Sequence, residues 1–123
     1  MSHVVEIETE VRDTEAMASA CRRLGLAQPQ RGTTTLFQTV VSGLLVQLQG
    51  WRFPIVVSPE TGQVKYDNYE GLWGEQRELE RFLQIYLVEK VRIEARKAGH
   101  SMTEQVLEDG SIAVEMIQVG GMA

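Results

Sequence analysis

The stretch QVKYDNYEGLWGE, residues 63 to 75, holds the densest group of side chains capable of chemistry in the chain. Tyr66, Tyr69 and Trp73 offer ring faces, Asp67, Asn68 and Glu70 offer oxygens, and Gly71 and Gly74 interrupt the run. A dedicated calcium site takes roughly six to eight oxygen ligands, and the three donors here are too few. As a general acid and base, Asp67 and Glu70 would need burial and a fixed separation, neither of which a glycine-flanked loop promises. Two readings stay open. The aromatics either plug the seam between a sheet and a helix, or Tyr66, Asp67, Tyr69, Glu70 and Trp73 form a ligand- or partner-binding surface.

Other reactive side chains are sparse. Cys21 is the single cysteine, so no intramolecular disulfide and no multi-cysteine zinc site can form. It falls on the apolar stripe of a short helix, where a buried structural thiol is the simpler reading. His3 shares a strand face with Val5 and Ile7, and His100 follows Gly99 as a solvated turn residue. The common phosphate-loop, dinucleotide and H-E-x-x-H zinc motifs are absent. These observations predict no catalytic residue, no metal and no cofactor.

The elements that would position these groups follow from hydrophobic periodicity. Residues 3 to 11, HVVEIETEV, alternate with an acidic outer face and predict a half-buried strand. Asp13 or Thr14 caps a helix carrying Met17, Ala20, Cys21 and Leu24, and Gly25 ends it. TTTLFQTVVSGLLVQLQG predicts two strands, about 34 to 41 and 44 to 49, divided at Ser42-Gly43. FPIVVSPETGQVKY predicts a hairpin turning at Pro59 to Gly62.

Residues 75 to 98 form the longest helical signal, with Leu79, Phe82, Leu83, Tyr86 and Leu87 as its stripe. Its first turn is acidic and its last basic, as the helix dipole favours. Ile85 and Val88 lie outside that stripe, so a second side of the helix must be covered, by the chain's own loops or by another subunit. With Arg92 and Arg96 they mark a candidate partner or oligomer surface. Lys90 and Glu94 fall near the apolar arc and read as an i, i+4 pair left by drift of the buried face toward Val91, Ala95 and Ala98, the alternative being a semi-buried pair with a purpose of its own. Asp109-Gly110 predicts a C-terminal hairpin with Leu107 opposite Ile112. The expected fold is α+β in one domain over 1–123: an antiparallel sheet covered on one face by a short and a long helix, then the hairpin, with a loose tail from about 119.

The 123 residues carry a net charge of −5, which argues against general nucleic-acid binding. RNA binding through Arg92, Arg96 and Lys97 is the minor alternative. The acidic, alternating start is unlike a signal peptide, and no apolar run approaches a membrane span, so a cytoplasmic setting is expected.

The start MSH, the short helix ending LG, and the segment from YDNYEGLWGE through LERFLQIYLVEKVRIEARKAGHSMTEQVLEDGSI resemble the hypothetical chloroplast reading frame thirty-five family of cyanobacteria, plastids, other bacteria and phages. The resemblance implies a compact α+β domain in a bacterial cytosolic or stroma-like setting. That family has no established activity, so no catalytic residue is carried over. Its association with ATPases of the AAA class implies an adaptor role. The leading expectation is therefore a non-enzymatic binding or adaptor domain, acting on a protein partner or as a homo-oligomer. The alternative is a small-ligand or nucleotide-binding domain using the 66–73 segment.

Overall fold

The computed structural model describes residues 4–118; His3 and the terminal GGMA lie outside them. Five strands form an antiparallel sheet: β1 (Val5–Glu8), β2 (Gln30–Leu36), β3 (Thr39–Val46), β4 (Ile55–Ser58) and β5 (Gln63–Tyr66), in the order β1-β5-β4-β3-β2. Helices α1 (Thr14–Leu24) and α2 (Gln76–Lys97) cover one face. Strands β6 (His100–Val106) and β7 (Ile112–Gln118) form a separate two-stranded hairpin. This is the α+β arrangement that the order of periodic segments predicts. Among the described residues, no helix is long and apolar enough to cross a membrane.

Local chemistry explains the helix ends. The Asp13 carboxylate accepts from the Glu15 and Ala16 amides at 2.9 and 3.1 Å, and Gly25 closes α1 in the left-handed region at φ 72°. Between the helices and the sheet, Ala16, Met17, Ala20 and Cys21 of α1 meet Leu79, Phe82, Tyr86 and Ile93 of α2. Val46, Ile55, Val57, Val64 and Tyr66 rise from the sheet into the same core. Each large aliphatic side chain buried there contributes roughly 1.5–3 kcal/mol. The Tyr86 hydroxyl accepts from the Arg12 and Asp13 amides and so fastens the β1–α1 connection to α2.

Burial in that core pushes the Cys21 thiol up to about 11. The expected result is no thiol labelling of the folded protein at neutral pH and full labelling once it is unfolded. Prompt reaction in the native state would contradict this packing.

Two strand expectations are corrected. Ser42-Gly43 does not divide strands, because β3 runs through it; the turn lies at Phe37-Gln38 instead. Phe37 holds φ 56°, a conformation that a bulky residue adopts only under constraint. The role of Gly43 is close approach: a Cβ there would stand 2.7 Å from the Val57 carbonyl oxygen. It pairs with Gly32 across the ladder. On the face of the sheet away from the helices, Leu36, Val41 and Val56 gather with Val4, Leu45 and Phe53 in a second small core.

The C-terminal hairpin has a different register from the one expected. Val106, not Leu107, pairs with Ile112, because the loop spans Leu107 to Ser111 and the Asp109 side chain holds the Ser111 amide at 2.9 Å. His100 is the first residue of β6 and half-buried, not a solvated turn residue.

Candidate functional site

The segment after β5 divides into a locked half and an outward half. Tyr66, Asp67 and Asn68 are buried. The Asn68 amide donates to the Gly74 carbonyl at 3.1 Å and to Gln76 Oε1 at 3.0 Å, while Gln76 Nε2 donates to the Tyr66 hydroxyl at 3.3 Å. Asp67 Oδ1 accepts from the Tyr69 amide at 3.1 Å. Trp51 donates its indole N–H to the Glu75 carbonyl at 3.0 Å and meets the Tyr66 ring edge-on at 5.7 Å. Gly74 is needed because a Cβ would stand 2.5 Å from the Trp51 ring. These groups are spent on joining the sheet to α2.

The other half faces solvent. Tyr69 and Trp73 lie 4.7 Å apart by centroids, Phe53 meets Trp73 at 5.6 Å, and the Arg52 guanidinium sits 4.8 Å over the Trp73 ring. Tyr69 and Glu70 hold φ of 47° and 53°, a left-handed pair that costs about 1–2 kcal/mol per residue. Next to them Asp67 Oδ2 is buried without a hydrogen-bond partner among the described residues. Strain of this kind persists only where the surroundings over-determine it, and here the hydrogen bonds of Asn68 and the tilted and edge-on ring contacts of Tyr69, Trp73 and Phe53 do so. Among the described residues no three His, Cys, Asp or Glu side chains converge as metal ligands.

A second constellation ties the hairpin to both helices. Glu89 of α2 is only 7% exposed. It accepts from the Ser19 hydroxyl at 2.6 Å and from Arg23 at 2.9 Å, with Arg92 at 3.6 Å. Arg23 reaches on to Glu104 of β6 at 2.6 Å, and Arg92 also pairs with Glu104. Burial works against the Glu89 charge, but the hydrogen bonds from Ser19 and Arg23 and the charges of Arg23 and Arg92 outweigh it, holding the carboxyl below its usual value. An ionised, fully engaged carboxylate is a clasp and not a proton donor.

The hairpin so held leaves most of its apolar side chains in solvent. Val106 is 69% exposed, Met116 49% and Val114 38%, with Leu107 and Ile117 also exposed. Among its described residues, only Ile112 packs against the main core. An element that leaves this much apolar side chain in solvent is a candidate interaction site.

Comparison with family models, with curated proteins and with solved structures gives no match.

The residues singled out in the sequence are therefore dispersed. Of the 66–73 group, Tyr66 and Asp67 are internal, while Tyr69, Glu70 and Trp73 reach solvent. Ile85 and Val88 are not free surface: each is 6% exposed, and Ile85 belongs to the main core. The cover on that second side of α2 lies within the chain. Arg92 is engaged in the clasp, and Arg96 is exposed. Lys90 lies 3.9 Å from Glu94, as its spacing predicts, and 3.6 Å from Asp13 as well. Sequence reasoning passed over Glu89 and the hairpin's apolar residues. Their signals were present: Glu89 falls seven residues after Phe82 on the buried stripe, and Ile112, Val114 and Met116 alternate.

Proposed function

We propose that this chain is a non-enzymatic protein-binding module of the cytosol whose contact surface is the C-terminal hairpin. The observation that carries the reading is the exposure of Val106, Leu107, Val114, Met116 and Ile117 on one small, clasped element. Val106, Val114 and Met116 share one face of the ladder and Leu107 and Ile117 the other, so the hairpin offers apolar side chains that a partner can dehydrate on either side, with Glu108, Asp109 and Glu115 as charged neighbours. An adaptor role beside an AAA-class ATPase, implied by the family resemblance, is one form of this reading. A small-ligand role has less to draw on, since Tyr66 and Asp67 are committed to internal contacts. What remains for it is the ledge formed by Tyr69, Trp73 and Arg52.

Photo-crosslinking amino acids placed singly at Val106, Met116 and, as a control, Glu60 in the exposed β4–β5 turn test the proposal. Discrete protein adducts are expected in cells from the two hairpin positions and none from Glu60. Adducts from all three alike, or from none, would remove the hairpin as the contact surface.

A further inference from the structure

The backbone of β7 presents a pairing edge as well as apolar side chains. The Leu107 amide donates to the Ser111 carbonyl at 2.8 Å, which makes Leu107–Ser111 a hydrogen-bonded pair of the ladder. In an antiparallel ladder such pairs alternate with pairs whose backbone groups point outward. By that alternation Gln105–Ala113, Thr103–Glu115 and Ser101–Ile117 exchange their bonds, while Val106–Ile112, Glu104–Val114 and Met102–Met116 do not. The N–H and C=O groups of Ile112, Val114 and Met116 therefore project from the side of β7 away from β6. β6 is the strand held to α1 and α2 through Glu104, and among the described residues β7 pairs with no strand other than β6.

Edge strands in soluble proteins are normally guarded by proline, lysine, a bulge or a covering element. IAVEMIQ contains no proline, lysine or glycine and a single charge, Glu115, and its residues 113 to 117 are all exposed. The side chains also restrict which strand can pair there. Centred on Glu115, a two-fold copy would set that carboxylate against its own equivalent, and like charges directly opposite are destabilising. Centred on Val114, the same operation sets Val114 against the partner's Val114, Ile112 against the partner's Met116, and Ala113 against the partner's Glu115. Those first pairs are the residues whose backbone groups are free, so each can exchange both of its hydrogen bonds.

We propose that β7 pairs antiparallel with β7 of a second copy across a two-fold axis at Val114, joining two hairpins into one four-stranded sheet. This rests on the reading of the hairpin as the binding surface and names one partner for it. The interface is isologous, as in most homodimers, and it removes the unguarded edge.

Sedimentation of the purified chain from micromolar to millimolar concentration, together with two cysteine variants, tests it. The wild type is expected to show a reversible monomer–dimer equilibrium. Val114→Cys should form a disulfide-linked dimer on mild oxidation and Glu115→Cys should not, since only the first residue meets its own copy across the axis. Cys21 does not compete, being buried. Val114→Lys, with an unchanged circular dichroism spectrum, should weaken dimerisation by at least about tenfold. A monomer at every concentration overturns the proposal, as does a dimer indifferent to Val114→Lys or one cross-linked through Glu115→Cys instead. A monomer that still yields hairpin adducts in cells would overturn the self-pairing and leave the binding-module reading standing.

Discussion

Gly62→Ala is expected to lower folding stability by about 4 kcal/mol, a large share of the roughly 5–15 kcal/mol typical of a domain. Gly62 ends the β4–β5 turn at φ 79°, where an alanine costs about 1 kcal/mol through its backbone alone. The larger part comes from what lies above it. An added methyl group would run into the Thr9 carbonyl oxygen. That oxygen cannot move freely, because the Thr9 amide and hydroxyl both donate to the Gly62 carbonyl, the amide at 2.8 Å, and the Thr9 hydroxyl accepts from the Val11 amide at 3.0 Å. Relief would break the hydrogen bonds between Thr9 and Gly62 that fasten the end of β1 to this turn, and buried donors left unpaired cost about 1–3 kcal/mol each. Gly50→Ala is the control. Gly50 has φ 76° but nothing within 4 Å of an added Cβ, so it should lose only about 1 kcal/mol in urea denaturation. Equal losses at the two positions would mean that the turn yields and the close approach is unimportant.

This glycine illustrates where sequence patterns stop informing. Pro59 to Gly62 reads as a turn from composition, and it is one. That Gly62 lies against Thr9 depends on β1 pairing with β5, a contact between residues 53 positions apart. The helices were readable because their signals are local: Asp13 and Gly25 bracket α1, and the stripe through Leu79, Phe82 and Tyr86 locates α2. The β2–β3 turn was not, since Phe37-Gln38 carries none of the usual turn residues and is held in place by the tertiary packing of Leu36 and Val41. Gly43 misled for the same reason. It looks like a break in sequence, yet its purpose is the close passage of β3 over Val56 and Val57. For the site, residue types in the 66–73 segment were visible, but alternation between buried and outward positions there depends on the left-handed pair Tyr69-Glu70. No propensity anticipates that pair. The alternation of Ile112, Val114 and Met116 was legible in the hairpin, but a register error of one residue at its turn put Leu107 in place of Val106 beside them.

Glu89→Ala is expected to cost about 2–3 kcal/mol and to loosen the C-terminal hairpin more than the sheet. Removing one partner of a buried ion pair typically costs about 3–5 kcal/mol because the remaining charge is stranded. The figure is lower here, since Arg23 and Arg92 keep Glu104 and are each about one-third exposed. Glu89→Gln separates charge from packing: its carbonyl oxygen can still accept from Ser19 or Arg23, and its loss should be about half as large. The pH dependence follows from the sign of the shift. Because the folded carboxyl is held below its usual value of 4.5, the stability due to its charge is complete above that value. It disappears as the pH falls through the lower, folded value. Asp13 adds to the same acid limb: despite burial, the Ala16 amide, the Lys90 charge and the Glu15 amide hold it below 3.8. Glu89→Gln should therefore flatten the acid loss of stability only in part, leaving the Asp13 share. Hydrogen exchange reads the structural consequence directly. If Glu89 is the clasp, amides of β6 and β7 should lose protection in Glu89→Ala while those of β4 and β5 keep theirs. A uniform loss across both would assign Glu89 to the stability of the whole core instead of to the attachment of the hairpin.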